Sequence, residues 1–129
     1  MNQQEMKART KRFALRIIRL VSSLPNTLAA NTLGKQLLRS GTSVGANYRS
    51  ACRAKSTADF IFKLSIVEEE ADESAYWMEL LVESEIVAQS RIVDLIDEAN
   101  QIVSIVVATI KTSKQKRNPK SQIRNPKSR

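Results

Sequence analysis

Apolar side chains recur along this chain at helical spacing, with no sustained strand-like alternation. Phe13, Ile17, Leu20, Val21 and Leu24 fall at i, i+4, i+7, i+8 and i+11, which predicts a helix from about Gln4 to Leu24 with these residues on its core side. Pro25-Asn26 predicts its end. A third helix is predicted to start at Ser56, which with Asp59 spells an S-x-x-D capping box, and to run to about Ser84. Phe60, Leu64, Val67, Ala71, Ser74, Met78 and Leu81 form its seam, and Phe62, Ile66, Trp77 and Leu80 a second apolar face. A helix apolar on two faces is sandwiched, inside a bundle or against another subunit. A fourth helix follows Ser90 and reaches about Thr112, with a seam of Ile92, Leu95, Ile96, Ala99, Ile102, Val103, Val106, Val107 and Ile110. Asp94, Asp97 and Glu98 are expected in its first turns, where acids complement the helix dipole.

The second helix, starting within residues 27–32, must carry the run LLRSGTSVGANYRSACRAKS, residues 37–56. At 100° per residue, Gly34, Leu38, Gly41, Gly45, Tyr48 and Cys52 share one narrow arc. Leu33, Leu37, Ser40, Val44, Asn47 and Ala51 form the arc beside it, and Lys35, Arg39, Thr42, Ala46, Arg49 and Arg53 a third. A phosphate-binding loop would not keep this period through both flanks. Three helical glycines cost about 2–3 kcal/mol relative to alanine. Gly34, Gly41 and Gly45 are therefore expected where another backbone approaches closely. Four such helices with short connections predict an all-α, antiparallel up-down-up-down four-helix bundle. Residues 1–114 form this domain, and residues 115–129 read as a disordered basic tail in which RNPKS occurs at 117–121 and again at 124–128.

Composition narrows the chemistry. The 129 residues suit one domain. There is no His, which excludes Ser-His-Asp and Cys-His catalysis and His-bearing zinc or di-iron sites; no metal or cofactor is expected. A single cysteine, Cys52, leaves no internal disulfide and fits a reducing cytoplasm; it reads as a small packed side chain, and Tyr48 and Trp77 as packing or interface residues. The N-terminus has no apolar h-region, so no secretory signal is expected, and no apolar run reaches membrane-spanning length.

The net charge of +8 is unevenly distributed. Residues 1–55 hold eleven Lys or Arg against Glu5 alone, a net of +10, and residues 56–110 hold Lys63 and Arg91 against twelve acids, a net of −10. The last segment, residues 111–129, adds five Lys and three Arg with no acid. Lys35, Arg39, Arg49 and Arg53 span about 27 Å of one helix. With Lys11, Arg12, Arg16 and Arg19 of the first helix they form a candidate nucleic-acid surface. It would hold phosphates without base specificity, and the absence of an interleaved aromatic residue argues against a dedicated single-strand reader. The competing expectation is that Arg39, Arg49 and Arg53 pair with Glu68, Asp72 and Glu79.

Ser43, Asn47, Glu70 and Glu73 are candidate buried polar residues, with Asn47 paired to Glu73 or Glu70 and fixing helix register. An enzymatic alternative uses Glu70-x-x-Glu73 and Asp94-x-x-Asp97, which resemble the paired-carboxylate magnesium site of all-α nucleotide pyrophosphohydrolases. Acid pairs of this spacing are frequent on solvated helix faces, so a non-enzymatic role is expected.

The run QLLRSGTSVGANYRSACRAKSTADFIFKLSIVEEEADESAYWMELL, residues 36–81, resembles the four-helix-bundle family that includes proteins encoded by intervening sequences in bacterial 23S rRNA genes. The family pattern falls on Ser43, Val44, Asn47, Arg53, Ser56 and Glu73. Members are similar to the accessory protein of diversity-generating retroelements, a pentameric ring thought to engage nucleic acid and a reverse transcriptase. The resemblance implies a homo-oligomer, a cyclic pentamer, acting as a scaffold or adaptor for RNA or DNA and for a partner protein. A purely structural protein–protein module is the remaining alternative.

Overall fold

A computed structural model describes residues 1–117. Four helices follow in order: α1 (Gln3–Ser22), α2 (Leu28–Cys52), α3 (Thr57–Glu83) and α4 (Gln89–Arg117). Neighbours in sequence pack as neighbours in space, and α1 closes the bundle against α4 by a sparser contact. The pairs Arg9–Glu98 and Arg91–Ser23, at opposite ends of α1, run in opposite chain order along α4 and make those helices antiparallel. Phe13, Ile17, Leu37, Val44, Leu64, Val67, Met78, Leu81, Ile92, Ile102 and Val106 are fully buried at the centre. This is the all-α bundle that the apolar spacing predicts.

The helix ends follow local chemistry. The Asn2 side chain accepts from the Glu5 amide at 2.8 Å, and the Glu5 carboxylate accepts from the Asn2 amide at 3.0 Å, a complete capping box. Thr27 caps α2 through the Ala30 amide. Ser56 caps α3 through the Asp59 amide, but the predicted box is only half made, because Asp59 turns to Lys63 at 3.1 Å. The end of α3 is a Schellman motif. The Glu85 amide donates to the Val82 carbonyl at 2.9 Å and the Ile86 amide to the Leu81 carbonyl at 3.0 Å. Glu85 supplies the left-handed residue, with φ of 65°, at a position that favours glycine.

Some expectations shift. α1 ends at Ser22, although Leu24 still packs against the core from the connection. α4 begins two residues earlier than expected, so Asp94, Asp97 and Glu98 lie beyond its first turn and the dipole role assigned to them falls away. It also continues past Thr112 to Arg117, so residues 115–117 are helical where a tail was predicted; Lys111, Lys114 and Lys116 are favourable near a helix C-terminus. The rest of the predicted tail and of its repeat lies outside the described residues. Within the α4 seam, Val107 is exposed rather than buried.

α2 is one unbroken helix through all three glycines, none of which has positive φ. All three face α1. A Cβ on Gly41 would lie 2.8 and 2.9 Å from Ile17 Cγ1 and Cγ2, and one on Gly45 would lie 3.4 Å from the Thr10 carbonyl oxygen. On Gly34 it would meet Leu24 Cδ1 at 3.1 Å. The expected approach of another backbone is met at Gly45 alone, whereas Gly34 and Gly41 make room for the side chains of Val21, Leu24 and Ile17, and these contacts fix which faces of α1 and α2 remain outside.

Candidate nucleic-acid interface

Burying Phe13 and Ile17 on α1 and Leu37 and Val44 on α2 turns the opposite sides of both helices to water. Lys11, Arg12, Arg16 and Arg19 of α1 are exposed, as are Lys35, Arg49 and Arg53 of α2. Among the described residues none of these seven makes an ion pair, and Glu68, Asp72 and Glu79, the predicted partners of Arg39, Arg49 and Arg53, do not meet those arginines. The cations lie on the α1–α2 half of the bundle, with Arg16 and Arg19 toward its α4 edge beside Arg91 and Leu95. Between the two helices runs a groove of about 580 Å³, lined by Lys7, Ala8, Lys11, Ala14, Thr42, Gly45, Ala46 and Arg49 among others.

Two arginines behave differently. Arg39, placed by sequence in the same stripe as Lys35, reaches over to α3 and donates to Glu70 at 3.2 Å and to Glu73 at 2.9 Å. The two carboxylates raise its pKa, Glu70 contributing first through the hydrogen bond. Arg9 makes a two-pronged bridge to Glu98 at 2.6 and 2.8 Å and also donates to Gln101, linking α1 to α4. Both side chains of this bridge are 17% exposed. Its hydrogen bond to Glu98 raises the Arg9 pKa against an opposing effect of burial. Sequence reasoning missed Arg9, which is one basic residue among many on α1; nothing local marks it as the one whose partner lies 89 positions on.

The predicted buried polar set is rearranged. Asn47 donates to the Ser43 carbonyl within its own helix, and Ser43 to the Arg39 carbonyl, so neither reaches Glu70 or Glu73. Glu73 is exposed. The cross-helix polar contact in the core is instead Ser40 to Ser74, 2.9 Å apart, both fully buried. Serines on facing seams can meet at a glycine-poor contact where the longer Asn47 finds a nearer acceptor four residues back. Glu70 Oε1 and Trp77 Nε1 are buried without a hydrogen-bond partner among the described residues. Tyr48 is buried at the other end of α2, and that burial, with the Cys52 thiol beside it, pushes its phenol up.

The carboxylates of the enzymatic alternative do not converge. Glu70 and Glu73 are held by Arg39, while Asp94 and Asp97 are exposed on α4. Among the described residues no three His, Cys, Asp or Glu side chains are grouped closely enough to hold a metal ion. No described helix is long and apolar enough to cross a membrane. On the outer side of α3, Phe62 is 63% exposed and Tyr76 52%, with Ile66 and Leu80 half-buried near them. The doubly apolar character of α3 thus leaves large apolar surface without a partner among the described residues.

Comparison with known proteins agrees with the bundle. No curated protein matches the sequence. A crystal structure of a Bacteroides thetaiotaomicron protein of unknown function, from the S23 ribosomal protein family, is 37% identical. It superposes with a TM-score of 0.78, over 86% of this chain and 99% of that one. The family model of the 23S rRNA-intervening sequence proteins matches residues 2–108, nearly the whole bundle, and the chain belongs to that family.

Proposed function

We propose that this protein is a non-enzymatic, self-associating scaffold that contacts RNA or DNA through the outer face of α1 and α2. The observation that carries this reading is the contrast among its arginines. Arg9 and Arg39 are committed to carboxylates within the chain. Lys11, Arg12, Arg16, Arg19, Lys35, Arg49 and Arg53 lie on the α1–α2 half of the bundle and have no ion-pair partner among the described residues. A solvated surface of one sign, on which Glu5 of the capping box is the one acid of α1 and α2, is the electrostatic footprint of a phosphate-binding surface. Binding would be sequence-tolerant and would weaken with salt as counterions are released.

Self-association is supported by α3. Phe62 with Ile66, and Tyr76 with Leu80, form two apolar patches about 21 Å apart on one side of α3, with exposed Glu69 and Glu73 between them. A chain with a basic side and an acidic side suits a heterologous contact, and such contacts close into rings when the rotation allows; the family resemblance points to five protomers. In a ring the basic face is multiplied, which turns weak single contacts into avidity.

The test is filter binding of labelled RNA and DNA to the full chain and to a variant with Lys120, Arg124, Lys127 and Arg129 all replaced by glutamine. The scaffold reading expects the variant to retain binding. Loss of all binding would make the tail the sole nucleic-acid element and leave the bundle as a protein–protein module. Light scattering at low and high salt gives the assembly state, and a monomer under all conditions would remove the scaffold.

A further inference from the structure

We infer that the groove between α1 and α2 is the seat of a nucleic-acid backbone, its phosphodiesters held between Lys7, Lys11 and Arg49. This deepens the scaffold reading and rests on it. Three features of the groove support the assignment. Its floor is made of Ala8, Ala14, Gly45 and Ala46, side chains too small to fill the space above the close α1–α2 contact, and the resulting volume is about 580 Å³. Its cations lie on both walls. Lys7 and Lys11 are one helical turn apart on α1, about 6 Å along the axis. Arg49 faces them from α2. Its lining includes no acid and no aromatic ring. Thr42, the one hydroxyl in the lining, already donates to the Leu38 carbonyl at 2.8 Å.

That chemistry selects the occupant. Ammonium and guanidinium groups opposed across a floor without acids complement a linear polyanion. Alanine and glycine offer nothing to base edges or to stack on, and the Gln4 side chain is the one amide in the lining, so the groove holds backbone far more than it reads sequence. Small residues of both helices leave the groove open, Ala8 and Ala14 from α1 and Gly45 and Ala46 from α2, with Gly45 also serving the close packing.

The experiment uses the full chain and two probes, an oligouridylate and an oligothymidylate of about twenty nucleotides. Three variants are compared by fluorescence anisotropy over a range of salt. Lys7→Gln/Lys11→Gln/Arg49→Gln removes the groove cations. Arg12→Gln/Arg16→Gln/Arg19→Gln removes as many charges from the α1 surface outside the groove. Ala8→Leu/Ala46→Leu fills the groove at two exposed positions without changing charge. The groove-cation variant is expected to weaken both probes about tenfold or more. It should also flatten the log K against log salt slope by about 2, because each phosphate neutralised on a single strand accounts for ~0.7. The filled-groove variant is expected to weaken binding as well, although its net charge is unchanged, and the outer variant to weaken it less than either. Equal weakening by the two charge variants together with unchanged binding after filling would overturn the groove assignment and leave the diffuse basic face in place. No binding by the unaltered protein would overturn the scaffold reading itself. Circular dichroism of each variant establishes that the bundle is intact.

Discussion

Replacing Gly41 by alanine tests the geometry on which both the bundle and its exposed faces depend. On an exposed helix, glycine to alanine stabilises by about 1 kcal/mol. At Gly41 the added methyl would lie 2.8 Å from Ile17 Cγ1, 2.9 Å from Cγ2 and 3.1 Å from Cβ. Ile17 is fully buried and branched at Cβ, so it cannot swing away without displacing the core. Overpacking of this kind costs about 1–3 kcal/mol, and three simultaneous close atoms place it near the top of that range. The net expectation is a loss of about 1–2 kcal/mol. Gly34→Ala is the internal control. Its closest neighbour is the terminal Cδ1 of a half-buried Leu24 at 3.1 Å, which can rotate, so this variant is expected to be neutral or up to about 1 kcal/mol more stable. Urea unfolding at one fixed protein concentration measures both, the fixed concentration removing any contribution from assembly. In an Ile17→Ala background, where Cγ1 and Cγ2 are gone and only Cβ remains at 3.1 Å, Gly41→Ala should become neutral to stabilising, giving a coupling of about 1–3 kcal/mol. If Gly41→Ala stabilises the unaltered chain as much as Gly34→Ala does, α1 does not press Ile17 against Gly41.

Other expectations are briefer. Glu85→Gly relieves the left-handed backbone at the end of α3 and should raise stability by up to about 1 kcal/mol in the same urea assay. Ser40→Ala and Ser74→Ala should each cost about 1 kcal/mol, and the double variant less than their sum, because each hydroxyl keeps a backbone carbonyl, Leu37 for Ser40 and Glu70 for Ser74. Tyr48 has a folded-state pKa above its unfolded value, so its contribution is full below the unfolded pKa of about 10 and is lost as pH rises beyond it. The fall in stability above that pH should be shallower in Tyr48→Phe, as followed by thermal unfolding across alkaline buffers. Phe62→Glu should reduce the assembled mass seen by light scattering without loss of helicity, and unchanged mass would remove α3 from the assembly surface.

The fold was readable because apolar side chains recur at helical period in all four segments, and the glycine arc of α2 could be assigned to a close contact from its period alone. The connections were harder. Nothing in a string of letters says that Asp59 will prefer Lys63 to the Ser56 amide, or that Glu85 will take a left-handed conformation that glycine would take more easily. Long-range polar pairing was least legible. The charge balance between halves suggested ion pairs, but it could not choose Glu70 and Glu73 for Arg39, nor exclude Glu68, Asp72 and Glu79. That choice depends on the azimuth of α3 relative to α2, which is set by packing of the seams around Ser40 and Ser74. The basic face was visible as composition, whereas the groove within it was not, because its walls come from two helices and its floor from residues selected for smallness.

The decisive measurement is a map of which backbone amides respond when unlabelled oligouridylate is added to the isotope-labelled full chain, read by NMR. Perturbed amides are expected to concentrate on the outer side of α1 and α2, around Lys7, Lys11, Ala46 and Arg49, while the acidic surface of α3 and α4 stays unchanged. Perturbation confined to residues 118–129, or centred on the Phe62 and Tyr76 patches, would refute the assignment of nucleic acid to the basic face.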